Sequence, residues 1–349
     1  MTDDTLLKVE GHAGFISLNR PLALNALTLP MVHAMTEALL AWRDDDAVKC
    51  VVIDHADGRG FCAGGDIAFL RNSAINDGGE SGRKFFHDEY QLNHLLFAYP
   101  KPVVAFMDGI TMGGGVGISQ PARFRVATEY TKFAMPETGI GLFPDVGGGW
   151  YLSRLAGRMG QFLALTGSRV AGAECLALGL ATHYLPSSAL AEAKARIASE
   201  EVERLDGILG TLSETPPASK IVETLVQINH HFASNAFEDI LASLEGDASE
   251  WAMKELTTLR TKSPQTCKVA LRQLSESLKL TDFVDNMAME YRIASRVIVR
   301  PDFAEGVRAV IVDKDNAPQW NPEMPEGVTE DLIDAIFAAL PAQDEWKPL

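Results

Sequence analysis

The chain has 349 residues, of which 46% are hydrophobic, so it is longer than one average domain and can bury a large core. Its formal net charge of −16 argues against a general affinity for nucleic acid or for an anionic membrane, because the field of the whole protein repels phosphate. We therefore expect neither as a partner, and a phosphorylated ligand would need a local basic patch.

The cysteines and the N-terminal residues bear on the compartment. The chain contains four cysteines, Cys50, Cys62, Cys175 and Cys267. Their spacing indicates neither a zinc site nor a disulfide framework, so we interpret them as reduced thiols and predict a cytoplasmic location. Residues 1–10 are acidic and lack the apolar core of a signal peptide. The sequence contains no run of about 18 apolar residues, so we predict no membrane-spanning helix.

The first 55 residues predict the opening of an alternating α/β fold. Apolar runs at residues 6–9 and 15–18, separated by glycines, predict a hairpin. Apolar residues at helical spacing predict a helix over residues 30–42, and the continuous apolar run at residues 50–53 is typical of a buried strand. This order of elements favours a sheet covered by helices.

The next segment, FCAGGDIAFL, places two glycines and an acid between a strand and a helix. Gly64 and Gly65 allow a sharp turn with exposed backbone amides, and Asp66 is placed to cap the helix. Free N–H groups at the start of a helix suit an anion or a developing oxyanion. An ordinary turn is the alternative that this motif alone leaves open.

A second glycine turn follows a second strand. Residues 71–82 are polar and rich in Gly, Ser and Asn, which predicts a mobile loop that could close as a lid. Residues 84–98 resume a helical pattern, and residues 102–106 predict a strand that leads to GGGVGIS at residues 113–119. The glycine spacing matches neither a dinucleotide-binding loop nor a Walker loop.

The two glycine turns suggest a joint function. An oxyanion hole needs two preorganised N–H donors about 3 Å from the developing charge. One amide from each turn would supply such a pair, and glycine leaves the approach of a substrate open.

Two acids lie in the Gly- and Pro-rich segment FAMPETGIGLFPDVGGGW. Apolar neighbours and a nearby second carboxylate both raise a carboxyl pKa, so Glu137 and Asp145 suit acid–base or nucleophilic chemistry near neutral pH. The structural alternative is that Glu137 caps a turn and that Asp145 caps a helix beginning near Val146.

Four motifs in this order resemble the crotonase (enoyl-CoA hydratase/isomerase) superfamily: LNRPLALNAL, FCAGGD, DGITMGGGVGIS and FAMPETGIGLFPDVGGG. The later segments EYRIASR and DFAEGVRAVIVDKDNAPQW resemble the C-terminal part of its subgroup that hydrolyses 3-hydroxyisobutyryl-CoA, so the resemblance covers the whole chain. It implies a crotonase-like α/β spiral of ββα units with a helical C-terminal region, in line with the helical patterns over residues 189–340.

Further expectations follow from this resemblance. It implies a core with the acyl-CoA site at residues 1–188 and a helical region at residues 189–349 that completes the CoA pocket. No cofactor is expected, since CoA enters as part of the substrate. No metal is expected either, because the adjacent His230 and His231 lack further ligand spacing. The superfamily often forms trimers and hexamers, so a homo-oligomer is one option, although the helical region could cover the surface used for that.

The resemblance also implies roles for the glycine turns and for two acids. The amides that hold the thioester oxygen correspond to Gly65 and Gly114. The second hydratase glutamate corresponds to Glu137, whereas the position of the first is Gly117, so that acid is missing. Asp145 stands where hydratases usually have glycine.

This pattern matches the hydrolase subgroup, whose active carboxylates align with Glu137 and Asp145. The glutamate that contacts substrate in this subgroup corresponds to Glu89, and we also assign Gly64 and Asp66 to substrate binding. Basic residues of the C-terminal half are predicted to contact the CoA phosphates, with surface ion pairs as the alternative. They are Lys268, Arg272, Arg292, Arg308 and Lys314.

The sequence therefore predicts hydrolysis of a short-chain β-hydroxyacyl-CoA, with 3-hydroxyisobutyryl-CoA of valine catabolism as the first candidate. Glu137 would attack the thioester to give an anhydride, or would activate water, and Asp145 would orient the substrate hydroxyl or shuttle protons. The alternatives are an enoyl-CoA hydratase or isomerase and a CoA-binding protein without turnover.

Overall fold

The computed structural model describes residues 4–349, and its strands form two sheets. The strands are β1 (Thr5–Glu10), β2 (Ala13–Leu18), β3 (Cys50–His55), β4 (Gly60–Cys62), β5 (Val103–Met107), β6 (Ile110–Met112), β7 (Phe124–Ala127), β8 (Lys132–Ala134), β9 (Val170–Ala171) and β10 (His183–Tyr184). The first sheet has the order β1-β2-β3-β5-β7-β10, and the second has the order β4-β6-β8-β9.

Helices make up the rest of the framework. They are α1 (Leu29–Arg43), α2 (Ile67–Asn76), α3 (Glu80–Phe97), α4 (Gly114–Ser119), α5 (Gly148–Ser153), α6 (Met159–Thr166), α7 (Gly172–Ala177), α8 (Leu190–Ser199), α9 (Leu205–Leu212), α10 (Leu225–His231), α11 (Phe237–Glu245), α12 (Glu250–Leu259), α13 (Pro264–Ser277), α14 (Phe283–Val297), α15 (Pro301–Val307) and α16 (Glu330–Phe337). Within residues 4–349 no helix is both long enough and apolar enough to cross a membrane.

The first sheet confirms the predicted hairpin and buried strand. β1 and β2 pair antiparallel, with Thr5 opposite Leu18, while the other neighbours in this sheet pair parallel. Alternate residues of β3 enter two different hydrophobic clusters: Val51 belongs to one and Val52 to the other. A strand buried on both faces requires a continuous apolar run, which explains the pattern at residues 50–53.

The second sheet determines where the functional segments meet. β4, β6 and β8 are parallel neighbours, with Gly60 opposite Ile110 and Met112 opposite Ala134. Their carboxyl ends therefore lie at one edge, where the chain must turn away from the sheet. Both glycine turns and the segment beginning with Glu137 follow these three ends.

Residues 71–82 do not form the predicted loop. α2 continues to Asn76 and α3 begins at Glu80, so the lid prediction is wrong. Asp77 accepts hydrogen bonds from the Ser73 hydroxyl and from the Glu80 N–H, and Ser73 Oγ accepts one from the Gly82 N–H. Polar residues that suggested a mobile segment instead satisfy backbone and side-chain donors between two helices.

The C-terminal half confirms the predicted helical pattern. All strands of residues 4–349 end by Tyr184, and α13 packs on α5 and α6 while α14 packs on α3. One hydrophobic cluster contains both Ile16 and Trp346, so apolar contacts are continuous across residue 188. The division into two parts at that residue stays a prediction.

Gly306 lies where α15 closely approaches the core. A Cβ at this position would lie 2.4 Å from the backbone carbonyl carbon of Ile140, and moving backbone atoms to relieve that contact would cost free energy. We expect Gly306→Ala to lower the free energy of unfolding by about 1–3 kcal/mol. Urea unfolding measures this difference.

Gly246→Ala is the matched control, because the nearest atoms to its added Cβ are at an ordinary 3.6 Å. It should change stability by less than about 0.5 kcal/mol. Equal stabilities of the two variants would contradict the close packing at Gly306.

Candidate active site

A cleft opens at the edge of the second sheet, where β4, β6 and β8 end. It contains about 460 Å³ of atom-free space, including solvent at its mouth. Its polar lining consists of the two glycine turns and three carboxylates, and its walls are largely apolar. The lining includes Gly64, Gly65, Gly113, Gly114, Glu89, Glu137, Asp145, Leu70, Phe85, Phe86, Met112, Ile140 and Leu142.

The glycine turns present unpaired amides side by side. The turn after β4 is held by Leu27, whose N–H donates to the Gly64 carbonyl (2.8 Å). Among the described residues, neither the Gly65 N–H nor the Gly114 N–H donates a hydrogen bond to another protein group. A Cβ added to Gly64 would lie 3.8 Å from the Gly114 nitrogen, so the turns are in direct contact. This arrangement has the parts that an oxyanion hole requires.

Glu89 reaches the cleft from the buried face of α3. Its side chain is 2% exposed, and its Oε1 has no hydrogen-bond partner in the part of the chain that the structure describes. A Cβ on Gly114 would lie 2.6 Å from that oxygen, so any larger residue there would displace the Glu89 carboxyl group. Burial, and then the charge of Asp145, raise the Glu89 pKa well above its usual value.

Glu137 begins a 3₁₀ turn, Glu137–Ile140, that follows β8. Its Oε1 lies 3.2 Å from the position of a Cβ on Gly113, and its Oε2 is buried without a partner among residues 4–349. Burial raises the pKa of Glu137 well above its usual value, and the charge of Asp145 raises it further. Glu137 is therefore a desolvated carboxyl group beside the free amides.

Asp145 lies on the loop between this turn and α5. It is 4% exposed, and its Oδ2 accepts a 2.8 Å hydrogen bond from the Tyr90 hydroxyl. Burial raises its pKa to about 7, and the Tyr90 hydrogen bond opposes part of that rise. α5 begins at Gly148 with Gly147 as its N-cap, so the alternative of Asp145 as a helix cap is wrong.

The three carboxyls form one interacting cluster. Since each added negative charge raises the pKa of its neighbours, the cluster holds protons near neutral pH while keeping some ionised character. A group that can give a proton and a group that can attack or accept one are thus present in one desolvated cleft.

The position of the missing hydratase acid has no space for a side chain. A Cβ on Gly117 would lie 2.6 Å from the Val146 Cβ and 2.7 Å from the Asn93 Nδ2. The side chains around Gly117 therefore leave no space for an acidic residue at this position.

Asp66 differs from the other predicted site residues. It is not among the residues that line the cleft. Its Oδ1 accepts from the Phe69 N–H at the start of α2, and its Oδ2 pairs with Arg20 at 3.0 Å. The predicted helix cap is confirmed, whereas this geometry gives no support for substrate binding by Asp66.

Of the five basic residues, some of which are predicted to contact the CoA phosphates, four form ion pairs with acids of this chain, and contact with CoA stays a prediction. The ion-pair alternative describes these four, while Lys314 is exposed. The pairs are Lys268 with Glu238, Arg272 with Asp334, Arg292 with Glu345, and Arg308 with Glu305.

Within residues 4–349 no group of three or more acids, histidines or cysteines is placed to hold a metal ion.

Sequence analysis assigns no role to two residues of the site, Tyr90 and Glu290. For Tyr90 a signal exists, since Glu89 and Asn93 recur with it at helical spacing beside apolar residues such as Phe86, and polar residues on the apolar face of a helix indicate a buried polar contact. Glu290 contacts loop residues more than 140 positions away, which no local pattern indicates.

Comparisons with known proteins agree with this geometry. The family model described as "Enoyl-CoA hydratase/isomerase" matches residues 13–337. The 3-hydroxyisobutyryl-CoA hydrolase, mitochondrial, of Xenopus laevis is 44% identical over 351 residues, covering 97% of this chain and 90% of that protein. Its namesake from Homo sapiens is 41% identical, covering 98% and 90%.

Two solved structures superpose over nearly the whole chain. A carnitinyl-CoA dehydratase from Mycobacterium thermoresistibile has a TM-score of 0.93 at 39% identity and covers 99% of both chains. An enoyl-CoA hydratase from Rhodobacter sphaeroides has a TM-score of 0.92 at 35% identity, covering 99% of this chain and 100% of the other.

Burying Asp145 should cost stability at high pH. A carboxyl whose pKa is higher in the folded than in the unfolded protein binds its proton more tightly when folded. The folded state is therefore destabilised as pH rises from about 3.8 to about 7. Asp145→Asn should be more stable than wild type at pH 8 by on the order of 1–4 kcal/mol, from about 1.4 kcal/mol per pKa unit. The gain should shrink towards pH 5.

Urea unfolding of both proteins at pH 5 and pH 8 measures this difference. Asp46→Asn, which changes an exposed acid, is the control and should show no such pH dependence. A stability difference for Asp145→Asn that is the same at both pH values would contradict the raised pKa.

Proposed function

The chain belongs to the enoyl-CoA hydratase/isomerase family, and on that premise we propose that it hydrolyses 3-hydroxyisobutyryl-CoA to 3-hydroxyisobutyrate and CoA. The full-length similarity to proteins named for this activity supports the substrate. The activity requires no cofactor in this proposal, because CoA is part of the substrate. Valine catabolism is the corresponding place in metabolism.

One observation supports the proposal most directly: Glu137 and Asp145 share a cleft with two free amides, while Gly117 has neither an acid nor room for one. Hydrating an alkene benefits from two carboxylates that hold one water, and the packing around Gly117 excludes one of them. Thioester hydrolysis needs an oxyanion hole, a group facing the carbonyl carbon and a proton for the leaving thiolate. The cleft contains all three.

In the proposed reaction the thioester oxygen accepts hydrogen bonds from the Gly65 and Gly114 N–H groups, which stabilise the negative charge that develops on it. Glu137 then attacks the carbonyl carbon, or deprotonates the water that does. The C–S bond breaks, and the thiolate of CoA takes a proton from the carboxyl cluster. Glu89 and Asp145 accept a hydrogen bond from, or exchange a proton with, the β-hydroxyl of the substrate.

Two alternative functions are weighed against this one. The dehydratase and hydratase titles of the two solved structures favour hydration of an enoyl-CoA, but the space at Gly117 is filled by Val146 and Asn93. A CoA-binding protein without turnover needs neither buried acid, and keeping both buried without a cationic partner costs free energy. Both observations favour the hydrolase.

Location and assembly complete the proposal. We propose a cytoplasmic protein, since all four cysteines are free and buried, as suits a reducing compartment. The similar hydrolases of Xenopus laevis and Homo sapiens are named for the mitochondrion. Self-association stays a prediction.

The activity is tested by release of free thiol from 3-hydroxyisobutyryl-CoA, with crotonyl-CoA in parallel. Wild type should release thiol from the first substrate and neither release thiol from nor hydrate the second. Glu137→Gln and Asp145→Asn should each lower kcat by about 10²- to 10⁴-fold, the usual range for loss of an acid–base or nucleophilic group.

Asp54→Asn is the matched control. It changes an equally buried acid that bonds to Ser17 and Lys194, away from the cleft, and should leave thiol release close to wild type. Hydration of crotonyl-CoA without thiol release would overturn the proposal in favour of a hydratase, and inactivity on both substrates would favour a binding protein.

A single turnover in ¹⁸O-labelled water separates the two routes. If Glu137 attacks directly and water opens the anhydride at the enzyme's carboxyl carbon, the label appears in Glu137. Peptide mass spectrometry detects it. Label found only in the released acid, with no hydroxylamine-trapped enzyme adduct, would indicate that water attacks the substrate.

A further inference from the structure

The loop that carries Asp145 has an unfavourable backbone conformation. Val146, directly after Asp145, has a φ of 54°, a left-handed conformation that β-branched residues rarely adopt, and Gly147 follows with a φ of 88°. Such a conformation persists only where surrounding contacts impose it. The contacts that impose it here come from α13 and α14.

Glu290 of α14 binds this loop through its carboxylate. Its Oε2 accepts from the Gly147 N–H at 2.7 Å, and its Oε1 accepts from the Gly149 N–H at 3.0 Å. Gln273 of α13 donates to the same carboxylate (2.9 Å) and also to the Pro144 carbonyl (2.7 Å). The loop is therefore held on both sides of Asp145.

Both oxygens of the Glu290 side chain act as hydrogen-bond acceptors. Burial raises the pKa of Glu290 to about 8, and the hydrogen bonds from Gly147, Asn286 and Gly149 oppose part of that rise. Its side chain is fully buried, and no ion pair among the described residues involves it. Four N–H groups donate to it, including the Asn286 Nδ2 at 2.9 Å, and two of them are amides at the start of α5. A glutamine here would turn an NH₂ group towards one of these donors, so it could not accept from both backbone amides as the glutamate does.

We infer that Glu290 is a positioning residue, which fixes the Gly147 and Gly149 amides and thereby aims the Asp145 carboxylate into the cleft. Tyr90 fixes the carboxylate itself, and Glu290 fixes the backbone two residues further on. The inference rests on the proposed function, in which Asp145 contacts the substrate. It gives the C-terminal helices a direct part in the reaction.

The test compares Glu290→Gln with wild type in steady-state hydrolysis of 3-hydroxyisobutyryl-CoA. We expect kcat per folded enzyme to fall by about 10- to 100-fold, because a misplacement near 1 Å costs about this much. KM should change by less than about threefold, since most substrate contacts remain. Amide hydrogen exchange at Gly147 and Gly149 should accelerate, while exchange in β5 stays unchanged.

Glu255→Gln is the matched control, because Glu255 is also a buried glutamate of the C-terminal half, but it pairs with Lys254 and is not among the residues that line the cleft. It should keep the wild-type kcat and the wild-type exchange at Gly147. A Glu290→Gln protein with wild-type kcat and unchanged loop exchange would overturn the inference.

Gln273→Met keeps the test decisive if Glu290→Gln does not fold. It removes the donor to Pro144 and to Glu290 at similar volume, and should lower kcat in the same sense with KM nearly unchanged. Wild-type kcat in this variant would also overturn the inference. If wild type itself releases no thiol, the proposed function fails, and the exchange measurement alone decides whether Glu290 fixes the loop.

Discussion

The structure depends on one constraint, which is that three short parallel strands end together. Where β4, β6 and β8 stop, their chain segments must leave the sheet with backbone groups that no neighbouring strand can pair. Glycine at two of these exits lets the chain turn so closely that both unpaired amides face one space. The third exit delivers Glu137 to the same space. The candidate site therefore follows from the register of a small sheet.

A second requirement is that acids be kept away from water without a cation beside them. The fold meets it by spreading the support over distant parts of the chain: α3 supplies Glu89 and Tyr90, and α13 and α14 hold the loop that carries Asp145. The Tyr90 hydroxyl donates to the Asp145 carboxylate and Gln273 donates to the Pro144 carbonyl, and because both donors are neutral they hold Asp145 in place without cancelling its charge. The acids thus remain reactive while their positions are fixed.

Much of the fold and of the site was predictable because the information is local. Turns, caps and buried strands depend on neighbouring residues, so the hairpin, the starts of α1 and α2, and the positions of Glu137 and Asp145 followed from short patterns. The structure of residues 71–82 was not predictable in this way. A mobile loop and a hydrogen-bonded junction between two helices are both rich in residues such as Ser and Asp, so composition does not distinguish them. The contact of Glu290 with Gly147 required the folded chain, because it joins residues of separate elements across more than 140 positions.

Among residues 4–349 no basic side chain lines the cleft, and this has a consequence for the end of the reaction. The acyl part of the substrate enters as a neutral thioester, but under the proposed reaction it leaves as an anion. Above its pKa of about 7, the ionised Asp145 would repel that new charge at short range in a poorly screened environment. The same cluster that promotes bond cleavage would therefore speed the release of the acid product and weaken its rebinding, so the charge of the site favours turnover while the equilibrium of the reaction is unchanged.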